Sequence, residues 1–237
     1  MRVAIVGAGG HGKVVGDVLL AIGHELAGFL DDHRSSEWLL DRPVVAALDA
    51  LPTFDCAIIA IGDNAVRKAK FEALDGVGVP FVTLVHPSAV VSPRARIGRG
   101  TLVAPGAIVM VDATIGDNVI VNTGASIDHD GEIESHVHLA PGTVLGGTVT
   151  VEQGAFLGIG VRAIPGRRIG AWAVVGAGSV VIRDVPAGAR VAGVPAQPLT
   201  SSSASQPAGP SGLSTQTARV DKPHDGGTEA PGDAHQD

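Results

Sequence analysis

The hydrophobic pattern along the chain changes character once, near residue 85. Before that point, short apolar runs alternate with segments whose apolar residues recur every three to four positions. Residues 2–6, 25–30, 56–61 and 80–84 read as strands, and residues 11–22 and 64–74 as helices. Alternating strands and helices predict a small Rossmann-like parallel sheet covered by helices, an α/β domain over residues 1–84. From Val85 the period is six. Every sixth residue from Val85 through Val91, Ile97 and Val103 to Val175 and Val181 is Val, Ile or Leu, except Ala163, with no insertion. Four residues after each of these the side chain is usually small or β-branched, as at Ala107, Ala125, Thr143, Ala155 and Ser179.

A strict six-residue repeat marks a parallel β-helix, because neither an α-helix nor an ordinary strand has that period. Three hexads close one triangular coil of eighteen residues. The repeat over residues 85–197 therefore predicts five to six coils, stacked about 4.8 Å apart like any hydrogen-bonded strands. Glycine or proline helps the chain round each corner. Beyond this, residues 198–237 are rich in Ser, Pro, Gly, Thr and Ala and read as a disordered tail, because they hold too little apolar surface to bury.

Composition narrows the function classes. Of 237 residues 45% are hydrophobic, 17% charged and only 3% aromatic, so the core is aliphatic and suits thin, regular layers. The net charge of −7 includes five acidic against two basic residues after Pro198, which leaves a mildly acidic body and argues against nucleic-acid binding. The lone Cys56 has no partner for a disulfide and sits in an apolar run, as a small buried hydrophobe would. No stretch approaches the ~20 apolar residues of a membrane span, and the N-terminus enters a strand without signal-peptide organisation. A cytoplasmic protein without membrane contact is expected.

Two segments carry candidate chemistry. Gly7-Ala8-Gly9-Gly10-His11-Gly12 follows the first strand and opens a helix, and Asp31 and Asp32 lie some twenty residues on. Such glycines admit a phosphate at a helix N-terminus, and a carboxylate there holds a ribose hydroxyl or a base; the alternative is a plain tight turn. Half a dinucleotide fold favours a mononucleotide or nucleotide sugar. Ile61-Gly62-Asp63-Asn64 either lines the same crevice or caps the following helix.

The second segment is Ile127-Asp128-His129-Asp130, with His136 and His138 behind it. His129 falls at an outward corner of its hexad, where an imidazole oriented by a carboxylate is a general base, or else an exposed polar corner. No further cluster completes a metal-ligand set. Eighteen-residue stacking puts Gly147 above His129, leaving a channel for a long thin ligand and N–H groups for an oxyanion. Pro141, Ile159 and Ala177 stack on another edge. Arg167, Arg168, Arg183 and Arg190 gather in the last coils, either anchoring a phosphate or forming a solvated basic surface. Arg167 occupies a normally small inward position.

These motifs, with Gly28-Phe29-Leu30-Asp31-Asp32, Val85-His86-Pro87-Ser88-Ala89 and Gly193-Val194-Pro195-Ala196, resemble the bacterial sugar O-acyltransferases of the sialic acid O-acetyltransferase type, which include nucleotide-sugar N-acetyltransferases of the hexapeptide-repeat superfamily. The resemblance spans about residues 1–196. It implies a left-handed β-helix and a homotrimer with acetyl-CoA between neighbouring subunits. It makes His129 the general base and Asp130 the residue that raises its basicity. His138, Ile159 and Ala177 match positions that contact acetyl-CoA, and Gly9, Gly10, His11, Asp31, Asp32 and Gly62 match the nucleotide-sugar site. Gln197 departs from the basic residue common there. The expectation is acetyl transfer to an amine or hydroxyl of a sugar; the rivals are an NAD-dependent oxidoreductase and a non-catalytic sugar-nucleotide-binding β-helix.

Overall fold

The structure is a computed structural model that describes residues 1–34, 37–46 and 54–199. Its first part is a five-stranded sheet of β1 (Arg2–Val6), β2 (Glu25–Leu30), β3 (Trp38–Leu39), β4 (Arg42–Val45) and β5 (Cys56–Ile59), in the order β3-β4-β2-β1-β5. Strands β4, β2, β1 and β5 run parallel, and β3 pairs antiparallel with β4. Helices α1 (Gly10–Ala21) and α2 (Asn64–Gly76) follow β1 and β5. The β3–β4 hairpin escapes the hydrophobic pattern because it is a short edge element whose Trp38 is exposed.

The repeat then delivers seventeen two-residue strands, one every six residues from β6 (Leu84–Val85) to β22 (Val180–Val181). They form three parallel faces. The first contains β6, β9, β12, β15, β18 and β21, extended by β23 (Arg190–Ala192) and the antiparallel β24 (Gln197–Pro198); the second runs from β7 to β22 and the third from β8 to β20. Partners are eighteen residues apart, as in Ile108–Ser126 and Ser126–Val144. The second residue of each strand points inward, and those from Val103 to Val181 are buried, joined by the small residues Ala107, Ala113, Ala125 and Ala155. Each such aliphatic side chain contributes about 1.5–3 kcal/mol of burial, so the regular stack needs no aromatic core.

Three expectations need correction. Residues 80–84 do not form a further strand of the α/β sheet: Phe81 makes one bridge to Ala57, and the chain then enters the first coil at Leu84. Pro198, read as the start of the tail, pairs in β24; residues 200–237 lie outside the described residues. Arg167 gains an account. The coil above it is two residues short, so that Ile169 bridges Val185 and the inward position opens. Arg167 turns to Asp184, 3.6 Å away.

The α/β part sits on the first face. Leu84, Leu102, Ala104 and Ile120 of that face share one core with Val3, Ile5, Val15 and Phe29. Ile120, the outward residue of its strand, is therefore covered within the chain, whereas Ile159 stays 63% exposed.

Candidate active site

The nucleotide-type loop is shaped by backbone packing. Gly7 adopts φ 108°, and a side chain there would meet the Ala60 carbonyl oxygen at 2.8 Å. Gly9 caps α1, and neither it nor Gly10 has atoms near where a Cβ would stand, so their face is open. No side chain caps α1 and its first turn carries no acid, which leaves its N–H groups and positive dipole end unneutralised.

Asp31 accepts from the Ala8 N–H at 2.8 Å and the His33 N–H at 3.0 Å, tying the end of β2 to the glycine loop. Burial opposes its ionisation, but those two hydrogen bonds and the nearby His33 and Arg34 prevail and hold its carboxyl below the usual range. Asp32 pairs with Lys70 at 2.7 Å. Both acids line a cavity of about 250 Å³ with Gly7, Leu30, Ile61 and Lys70. Asp63 supplies the α2 cap, accepting from Val66 N–H at 2.9 Å, and Asn64 instead donates to the Gly154 and Ala155 carbonyls.

His11, Gly62 and His138 meet where this loop touches the first face. The His138 Nδ1 lies 3.3 Å from the Gly62 carbonyl oxygen, and its Nε2 lies 3.2 Å from Asn122 Nδ2. The His11 ring is 6.2 Å from that of His138. Burial first and the Arg67 charge second push both histidines down to about 4. The buried His11 Nε2 has no hydrogen-bond partner among the described residues.

His129 stands elsewhere. It is exposed on the corner between the second and third faces, which in a three-faced prism lies opposite the first face. Its Nδ1 is 2.8 Å from Asp130 Oδ2, and that hydrogen bond raises its pKa, aided by the charges of Asp128 and Asp130. Asp130 reaches back because it adopts φ 57° at the turn. With Nδ1–H donating to the carboxylate, the Nε2 lone pair is free to take a proton.

The space above His129 is not an open channel. A Cβ on Gly147 would stand 2.5 Å from His129 Cε1 and closer still to Nε2, so the imidazole itself lies against the bare glycine. The Gly147 N–H donates to no protein acceptor among the described residues. Ile159 and Ala177 are exposed on the corner between the first and second faces, at the edge of the face that carries His138, also with no backbone acceptor for their N–H groups among the described residues. The predicted set thus falls into three groups: His129, Asp130 and Gly147 on one corner, His138, Ile159, Ala177, His11 and Gly62 around the first face, and Gly9, Gly10, Asp31 and Asp32 at the glycine loop and the cavity beside it. Of the late arginines, Arg167 and Arg168 both meet Asp184, the chain neighbour of Arg183, and Arg190 stands apart. Arg168 pairs with Glu152 on the third face, and Arg190 sits on the first.

One central residue escaped the sequence reading. Arg67 is fully buried in α2, with its guanidinium shared among carbonyl groups of both parts of the molecule. The available signal was its helical spacing between Asn64 and Phe71, a cation on an otherwise buried stripe.

A hexad prism carrying a corner histidine–aspartate pair, fused to a nucleotide-type lobe, defines a hexapeptide-repeat acyltransferase built on a left-handed β-helix. A family model described as the PglD N-terminal domain matches residues 2–74. Perosamine N-acetyltransferase from Caulobacter crescentus, solved as a histidine variant with CoA and GDP-perosamine, superposes with TM-score 0.81 at 42% identity, over 84% of this chain and 97% of its own. The acetyltransferase domain of PglB from Neisseria gonorrhoeae, in complex with acetyl coenzyme A, gives TM-score 0.79 at 37% identity, over 84% and 98%. UDP-N-acetylbacillosamine N-acetyltransferase of Bacillus subtilis is 46% identical over 108 residues, 42% of this chain and 50% of its own, so the chain spans about half that curated relative. The chain belongs to the sugar N-acetyltransferase family of hexapeptide-repeat acyltransferases that carry a PglD-type N-terminal domain.

Proposed function

We propose that this protein transfers the acetyl group of acetyl-CoA to an amine of a nucleotide-activated amino sugar, as a cytoplasmic homotrimer. The observation that carries the reading is the His129–Asp130 pair lying against Gly147. His129 Nε2 takes the proton of the sugar amine as its nitrogen attacks the thioester carbonyl carbon. The Gly147 N–H is placed to donate to the oxygen as it gains charge. The new C–N bond forms, the C–S bond breaks, and His129 returns the proton to the departing sulfur.

The nucleotide end of the acceptor fits the α/β lobe. The open glycine face and free α1 N–H groups suit phosphate, the 250 Å³ cavity suits the nucleoside, and the orphaned His11 Nε2 awaits a polar atom. Gly9, Gly10, His11, Asp32 and Gly62 are the proposed contacts, with Asp31 holding the loop. Related enzymes bind GDP- and UDP-linked sugars by name. The N–H groups of Ile159 and Ala177, without an acceptor among the described residues and at the edge of the face that carries His138, suit the amide-bearing arm of the acyl donor.

The split of the site argues for the trimer. Within one chain the base faces away from the lobe that would hold the sugar nucleotide, so one substrate meets both only if a second copy supplies the His129 corner. No helix among the described residues is long and apolar enough to cross a membrane. The test is thiol release from acetyl-CoA with GDP- and UDP-linked amino sugars. Turnover with an amino sugar and none with its deaminated analogue is expected. Release at background rates with every amino-sugar nucleotide, from protein that is trimeric in solution, would defeat the proposal.

A further inference from the structure

We infer that Arg67 is a positioning residue: by gripping the carbonyls that surround His138, it fixes that imidazole as a neutral hydrogen-bond acceptor at the junction of the two lobes. The guanidinium is 0% exposed. Its Nε donates to the Asn118 carbonyl at 3.2 Å. One terminal nitrogen donates to Ile61 at 3.0 Å and Gly62 at 3.4 Å, and the other to His136 at 2.7 Å and Val137 at 3.2 Å. No carboxylate forms an ion pair with it among the described residues. A buried cation without a counter-ion is a poor way to gain stability, because an apolar side chain of similar volume does as well or better. Its presence therefore points to what it orders.

What it orders is the frame of His138. The Gly62 carbonyl is shared between Arg67 and His138 Nδ1, and the His136 and Val137 carbonyls lie just ahead of His138 in the chain. A carbonyl accepts only, so Nδ1 carries the proton. On the other side, Asn122 Oδ1 accepts from the Thr123 N–H at 2.8 Å, which turns Asn122 Nδ2 toward His138 Nε2 as a donor. Nε2 must then be the bare acceptor. A second proton on Nε2 would confront the Asn122 amide, His11 from α1 and the Arg67 charge together. These are the charged and titratable groups that bear on the ring from the elements around it, and with burial they keep it neutral down to about pH 4. Arg67 holds the lobe that carries Gly62 and the coil that carries His138 in one register, at the place where the proposed sugar nucleotide would pass from one to the other.

Two substitutions separate fork from charge. Arg67→Lys keeps a cation but loses the multi-carbonyl grip, and Arg67→Met loses both. The primary readout is nitrogen-15 NMR of His138, assigned by comparison with His138→Gln, which reports tautomer and protonation midpoint without any turnover. In Arg67→Met the midpoint should rise from about 4 and the single Nδ1–H tautomer should become a mixture. In Arg67→Lys the midpoint should stay low while the tautomer mixes. In both, kcat/KM with acetyl-CoA should fall, by up to about the 10²-fold that an ångström-level misplacement costs; this second readout rests on the proposed acetyl transfer. An unchanged tautomer in folded Arg67→Lys would overturn the inference, even if Arg67→Met did not fold. A wild type without acetyltransferase activity but with the tautomer shift would sink the proposed function and leave the positioning role standing.

Discussion

Gly147→Ala tests the most compressed contact at the proposed catalytic corner. In the wild type the His129 ring lies over the α-carbon of residue 147, one coil above it. An alanine methyl there would stand 2.5 Å from Cε1 and nearer still to Nε2, whereas ordinary contact begins at 3.4 Å. The ring must therefore withdraw by about 0.9 Å, or swing about its χ angles and release Asp130 from its 2.8 Å hydrogen bond. The three atoms nearest the added methyl all belong to the exposed end of His129, so the strain falls on that side chain and should cost about 0.5–1.5 kcal/mol of stability, the scale of one off-rotamer side chain or one lost hydrogen bond. An ångström-scale misplacement of a reacting group costs about 10²-fold in rate. We expect kcat to fall by about that factor, with an unchanged oligomeric state, a melting temperature lowered by no more than a few degrees and unchanged affinity for the sugar nucleotide, whose proposed contacts lie on the other lobe. Loss of the hydrogen bond should also bring the rising limb of the kcat–pH profile to lower pH. Steady-state kinetics across pH 5.5–8.5 reads both effects. Full turnover with an unshifted limb would mean that His129 does not act from this position.

His129→Ala should lower kcat by about 10²–10⁴-fold while the protein stays folded, since the side chain is exposed; light scattering and kinetics check this together. Asp130→Ala should cost less and shift the rising limb to lower pH, because the hydrogen bond that raises the histidine pKa is gone. Acid should loosen the lobe junction. His11 and His138 are held down to about 4 in the folded state against 6.5 unfolded, so the unfolded chain binds more protons between those values and stability falls as pH drops through that window. Each contributes about 3 kcal/mol at most across it. Urea unfolding at pH 7, 6 and 5 should show the decline, and replacing both with Gln should flatten it; a flat wild-type profile would contradict the neutral assignment. Asp31→Ala removes two backbone hydrogen bonds that organise the glycine loop. It should cost about 1–3 kcal/mol of stability and weaken UDP- or GDP-sugar binding by calorimetry, with no effect on turnover at saturating sugar.

The hexad prism was legible without coordinates because its cause is local. A residue that faces inward recurs every sixth place, so Val103, Val121, Leu139 and Leu157 announce their own column. The same eighteen-residue arithmetic placed Gly147 over His129 and Ile159 below Ala177. The glycine loop and its acids were legible for the same reason: strand, turn and helix N-terminus are contiguous. Beyond that reach, tertiary structure decided. Which face of the prism is covered depends on where the α/β lobe packs, and no periodicity encodes that. Hence Ile120 reads as an outward face yet is buried by the chain's own lobe, and His138 and His129, nine residues apart, end on opposite sides of the prism. Asp31 carries the mark of a ligand contact, and only the fold shows that each of its oxygens also accepts a backbone N–H. Arg67 is only half explained by its sequence neighbours Ile61 and Gly62, because the other carbonyls it meets, those of Asn118, His136 and Val137, lie some fifty to seventy residues away. Backbone acceptors are present at every residue and leave no trace in the amino-acid sequence; only the packing of one lobe on another selects which of them a buried cation meets.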